Sequence, residues 1–64
     1  MTLKIRALRI AAGLSQQMLA EKAGISRSQL SEIETEAKPA NTLRLNSIAN
    51  ALGVQVEDLF ESGA

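Results

Sequence analysis

The sequence predicts an all-α domain, and three observations carry that expectation. Apolar residues make up 45% of the 64 residues, yet only Phe60 is aromatic. A core of Leu, Ile and Ala suits packed helices better than a sheet, which favours aromatic and β-branched side chains. The apolar residues recur at spacings of three and four, the period of one helix face. Finally, Ser or Asn stands before several of these stretches and Gly after them, the residues that start and stop helices.

Taken in order, helix 1 is expected over about residues 2–12, capped by Thr2 and ended by Gly13. Ile5, Leu8 and Ala12 form its stripe, with Leu3 and Ile10 to the sides. Helix 2, about residues 16–23, follows the N-cap Ser15 and buries Leu19, Ala20 and Ala23, with Met18 as a possible flank. Helix 3, about 27–35, follows the N-cap Ser26 and turns Leu30 and Ile33 inward, while Ile25 sits at the staple position before the cap. A loop containing Pro39 leads to Asn41, the cap of helix 4 over about 42–52. Leu45, Ile48, Ala49 and Leu52 line its inner face, Leu43 falls off that stripe, and Gly53 closes it. A last helix, about 56–61, carries Val56, Leu59 and Phe60, with Glu57 and Asp58 in its first turn where the helix dipole favours acids. One domain spanning 1–64 is expected, near the lower size limit for folding without help.

Composition excludes several functions. The chain has no cysteine and no histidine, so neither a disulfide framework nor the usual zinc sets are expected. Glu32, Glu34 and Glu36 do not suggest a metal site, because residues two apart on a helix diverge. Without His, Cys or a pocket-forming carboxylate pair, no catalytic residues, no cofactor and no small-molecule ligand are expected, and the chain is read as not an enzyme. No apolar run approaches the length of a membrane span, and a cytoplasmic location is expected. The formal charge is zero, which argues against indiscriminate coating of nucleic acid. Its distribution is uneven. Residues 1–31 hold Lys4, Arg6, Arg9, Lys22 and Arg27 against Glu21, a net of +4. Residues 32–64 hold Lys38 and Arg44 against Glu32, Glu34, Glu36, Glu57, Asp58 and Glu61, a net of −4. Such polarity can orient a protein on a charged partner.

The central stretch SQQMLAEKAGISRSQLSEIE combines small Ala20, Gly24 four residues later and Leu30 six residues after that. Ala20 lets one helix cross another closely, Gly24 supplies a positive φ, and Ile25, Leu30 and Ile33 fill the angle between the helices. The three-residue link Gly24-Ile25-Ser26 forces a sharp corner. The set is the signature of a helix-turn-helix.

With IRALRIAAGLSQ before it and IANALGVQVEDLF after it, the chain resembles the lambda-repressor/Cro-type helix-turn-helix family, also called the xenobiotic-response-element family. The resemblance runs from about Ile5 to Phe60. It implies a compact five-helix domain that binds double-stranded operator DNA as a homodimer, with helix 3 in the major groove. Arg27, Ser28 and Glu32 are then the expected base contacts. A guanidinium pairs bidentately with guanine, and a carboxylate accepts from the cytosine amino group. Gln16, Gln29, Ser31, Lys38, Asn41 and Arg44 are the expected contacts to phosphate and sugar, which position the protein without specifying sequence. The resemblance also implies an internal ion pair between Arg9 and Glu34.

Two features depart from the family. Thr35-Glu36-Ala37 stands where a glycine and several bases are common, and no basic arm precedes helix 1. Useful binding is therefore expected from a dimer on two half-sites rather than from a monomer. The alternative is a protein-interaction module of the same fold, antitoxin-like or coactivator-like, which the neutral charge and acidic second half favour. Leu43 is expected either to pack under the 36–41 loop or to stand exposed on a partner surface, and Val56 and Phe60 either close the core or extend a dimer contact; on the alternative reading a partner covers Val56, Leu59 and Phe60.

Overall fold

The computed structural model describes residues 3–36 and 41–61. Four α-helices and one 3₁₀ helix occur in them: α1 (Ile5–Ala11), α2 (Gln16–Ala23), α3 (Arg27–Glu34), α4 (Thr42–Leu52) and a 3₁₀ turn over Val56–Leu59. The fold is all-α. No described helix is long and apolar enough to cross a membrane.

The helix boundaries follow from local chemistry. Ser15 Oγ accepts from the Met18 N–H at 3.1 Å, and Asn41 Oδ1 accepts from the Arg44 N–H at 2.8 Å. Ser26 makes a reciprocal capping box with Gln29: its Oγ accepts from the Gln29 N–H, while Gln29 Oε1 accepts from the Ser26 N–H, both at 3.0 Å. Gly24, at φ 72°, closes α2 in the left-handed region, and the Ile25 N–H reaches back to the Ala20 carbonyl at 3.0 Å. That closure turns the chain into α3 within three residues.

Both ends of the fold differ from the expected boundaries, for one shared reason. Leu3 and Phe60 form an antiparallel bridge, and the Lys4 N–H donates to the Leu59 carbonyl at 2.7 Å. With Leu3 in the bridge and Lys4 in a non-helical conformation (φ −117°, ψ 32°), α1 starts only at Ile5, and Lys4 is an N-cap that makes no side-chain bond. The expected cap Thr2 lies outside the described residues. At the other end Phe60 is extended (φ −104°, ψ 143°), so the last helix stops at Leu59 and is 3₁₀ rather than α. Asp58 Oδ2 accepts from the Gln55 N–H at 3.1 Å and fixes its start. Helix α1 also ends one residue early. Ala12 is its C-cap and is exposed, not part of the buried stripe.

The core consists of Ile5, Leu19, Ala20, Leu30, Ile33, Ile48, Ala49 and Leu59. Helix α2 lies at its centre, packed on both α3 and α4, and the 3₁₀ turn closes over α4. Leu8, Ala23, Ile25, Leu45, Leu52 and Val56 pack around this cluster, half-buried. Burying one Leu or Ile side chain fully contributes about 1.5–3 kcal/mol, and Ile5 and Leu59 are the fully buried anchors that α1 and the 3₁₀ turn place in the core. Among the described residues, three large apolar ones remain outside: Ile10, Met18 and Leu43, the last 77% exposed.

Candidate nucleic-acid interface

The surface that presents α3 is built from the corner outward. Gly24 and the Ser26–Gln29 capping box set the direction in which α3 leaves α2. Leu30 and Ile33 are buried, which turns Arg27 and Ser28 to solvent and leaves Ser31 and Glu32 half-buried at the rim. Gln16, the first residue of α2, meets this face. Gln16, Arg27, Ser28, Ser31 and Glu32 together line one open groove of about 430 Å³. The three expected base contacts and two of the expected backbone contacts are thus on one surface.

Beneath it sits a polar knot that joins three helices. Arg9 on α1 donates Nε to Glu34 Oε2 at 2.8 Å and Nη2 to Glu34 Oε1 at 3.4 Å. Its Nη1 donates to the Leu14 carbonyl at 2.9 Å. Gln16 Nε2 donates to Glu34 Oε1 at 3.1 Å. The side chains of Arg9 and Glu34 are only 11% and 3% exposed. A charge-assisted fork of this kind is stronger than neutral hydrogen bonds and fixes geometry as well as energy. Glu34 therefore belongs to the interior, and it also orients Gln16, whose amide oxygen and second N–H remain for the groove.

Other expected contacts fall elsewhere. Asn41 and Arg44 line a separate cleft with Ala23, Gly24, Ile25, Leu43 and Ser47. The Asn41 side-chain oxygen is engaged in capping α4, and the Gln29 oxygen is engaged in the capping box. Each keeps only its amide N–H₂ to donate to a phosphate. The spacing Ser26-x-x-Gln29 carries that second role of Gln29 in the sequence. Lys38 lies outside the described residues. Among the described residues, no group of His, Cys, Asp or Glu is placed to hold a metal.

The structure adds residues absent from the expected set. A second recess of about 540 Å³ borders the groove, lined by Arg6, Arg9, Ser15, Gln16, Gln17, Arg27 and Thr35. Arg6 precedes Arg9 by three residues, so both lie on one side of α1. Gln17 follows Gln16 in the first turn of α2. The helical spacing of the two arginines was the available signal, but only tertiary packing shows that they converge on the α2 N-terminus.

The comparisons agree with this architecture. A helix-turn-helix family model matches residues 5–59. The immunity repressor protein of Bacillus phage phi105 is 43% identical over 53 residues, covering 83% of this chain and 37% of that protein. The chain spans still less, 13%, of a propionyl-CoA carboxylase regulator of Cereibacter sphaeroides that is 34% identical over 61 residues. Among solved structures, the restriction-modification controller protein C.AhdI of Aeromonas hydrophila has a TM-score of 0.85 at 34% identity, with 88% of this chain and 85% of that chain covered. The biofilm regulator SinR in complex with DNA has a TM-score of 0.83 at 34% identity, covering 91% of this chain and 94% of that chain. With the corner at Gly24, the inward Leu30 and Ile33 and the family match in agreement, the chain belongs to the lambda-repressor/Cro-type helix-turn-helix family.

Proposed function

We propose that this chain is a sequence-specific DNA-binding transcriptional regulator, without cofactor or catalytic activity, that places α3 in the major groove of an operator and acts as a homodimer. The observation that carries the reading is the groove in which Gln16 from α2 meets Arg27, Ser28, Ser31 and Glu32 from α3. A helix-turn-helix reads DNA by laying its second helix along the base edges while the first crosses the backbone. Arg27 stands at the N-terminal end of α3 and is exposed, as a bidentate reader of guanine must be. Gln16 is oriented by Glu34 to donate its remaining N–H to a phosphate. The relatives named above, a phage immunity repressor and a DNA-bound regulator, support the same reading. Occlusion of a promoter is the simplest way for such a dimer to act, and a cytoplasmic location accords with it.

The experiment is selection of bound sequences from random duplex DNA, followed by titration at two salt concentrations. A recurring half-site, repeated about one helical turn away, is the expected product. Affinity for it falls steeply with salt, as it does when Lys and Arg displace counterions. Failure to enrich any sequence, with no duplex binding even at low salt, would sink the proposal.

A second reading has one observation in its favour. Leu43 projects from the first turn of α4 and is 77% exposed. On a protein-interaction module it would meet a partner. Loss of a protein partner on Leu43→Ser, with no effect of Arg27→Ala on any activity, would favour that reading over DNA binding.

A further inference from the structure

Three arginines line the recess beside the groove, but they are not equivalent. Arg9 is committed: Nε, Nη1 and Nη2 each donate within the protein, three of its five N–H groups, and Glu34 cancels its charge. Arg6 and Arg27 are exposed, and among the described residues neither side chain has a hydrogen bond or an ion pair. Gln17 and Ser15 lie in the same wall, and Glu34 is not part of it. The recess therefore presents two uncommitted guanidinium groups and polar side chains, with no carboxylate among the described residues of its lining. At about 540 Å³ it has ample room for a phosphodiester. It is also continuous with the groove, because Gln16 and Arg27 line both.

From this arrangement we infer that Arg6, on α1, clamps the DNA backbone at the edge of the site, holding a phosphodiester in the recess while Arg27 turns to the bases. The inference rests on the proposed DNA-binding function and extends it to a helix outside the helix-turn-helix. Arg6 stands on α1, and α1 is tied to α3 through Arg9 and Glu34. The clamp therefore moves as one body with the reading helix. A phosphate held there fixes how deeply α3 sits in the groove, and it carries no sequence information itself.

The test is a salt titration of DNA binding by wild type, Arg6→Gln, Arg6→Lys and Lys22→Gln, each on a selected operator and on random duplex. Lys22 carries the same charge in the last turn of α2, exposed and outside both recess and groove. Arg6→Gln is expected to weaken both duplexes by about the same factor, roughly 5- to 10-fold at low salt, and to reduce the log–log salt slope by about one per bound chain, with base preference unchanged. Arg6→Lys restores the slope. Lys22→Gln leaves it close to wild type.

If wild type binds DNA but Arg6→Gln keeps the full slope, or loses no more than Lys22→Gln, the Arg6 clamp is wrong while the DNA reading stands. Should wild type bind no duplex, both fall. Inorganic phosphate titrated at constant ionic strength separates a free-anion site: Arg6-dependent phosphate binding with an unchanged DNA slope also overturns the clamp. Thermal melting of each variant checks that the fold is retained. If Arg6→Gln does not fold, the comparison passes to Arg6→Lys against Arg6→Met, read in the same slopes.

Discussion

Gln16 donates its side-chain amide to Oε1 of Glu34 at 3.1 Å, so the residue that opens α2 is tied to the residue that closes α3. Glu34 also takes the Arg9 guanidinium, and one carboxylate thereby sets the mutual orientation of three helices. Glu34→Gln keeps the shape and removes the charge, leaving an arginine 11% exposed without its counterion. Removing one partner of a buried pair is costly, and a loss of about 3 kcal/mol is expected here. Urea denaturation reads it as a fall in midpoint at constant slope. The double variant Arg9→Met with Glu34→Gln should recover part of the loss, because no unpaired charge then remains.

Glu36 has φ 57°, a left-handed conformation that non-glycine residues adopt at a cost of about 1–2 kcal/mol. Its N–H closes the end of α3 on the Ile33 carbonyl at 3.1 Å. Glu36→Gly relieves the strain but adds freedom to the unfolded chain, so a net gain of about 1 kcal/mol is expected. A domain of this size translates that into a melting temperature about 4–8 °C higher. Glu36→Ala is the control: it removes the charge but keeps the strain, and no comparable gain should follow.

Gly24→Ala tests the corner from the opposite side. Nothing lies within 4 Å of where the added Cβ would sit, so crowding contributes nothing. The penalty is conformational, at φ 72°, and a loss of about 1–2 kcal/mol is expected by calorimetry. Gly24→Asn should lose less, because asparagine visits this region more readily. Equal losses for the two would contradict a purely backbone origin.

Arg27→Ala and Gln29→Ala should separate reading from scaffolding. Arg27 is exposed and unbonded among the described residues, so its loss is expected to leave the melting temperature within a degree or two and relax preference at one base pair by about 1–3 kcal/mol. Gln29→Ala removes half of a capping box, and a stability loss on the order of 1 kcal/mol is expected with base preference intact. Melting curves and competition with single-base operator variants distinguish them.

Much of this molecule is legible in the chain. Ser15, Ser26, Asn41 and Gly24 act through bonds a few residues away, so their placement follows from local chemistry. Leu19, Ala20, Leu30, Ile33, Ile48 and Ala49 fall inward because a 3.6-residue period leaves one face to bury. The helix-turn-helix and the outward set beginning at Arg27 follow from those two rules together.

What the tertiary structure alone decided involves residues far apart in sequence. Leu3 pairs with Phe60 across the chain, and because both residues of that contact are non-helical, α1 starts after it and the last helix, a 3₁₀ turn, stops before it. Arg6 on α1 and Arg27 on α3 line one recess, a convergence that no spacing along the chain announces; the Arg9–Glu34 pair, which the resemblance implied, takes its distances and its third member, Gln16, from the packing. Local propensity speaks for each residue with its near neighbours. Which arginines remain free for a phosphate depends on which carboxylate the packing of three helices brings within 3 Å, and no short stretch of sequence contains that distance.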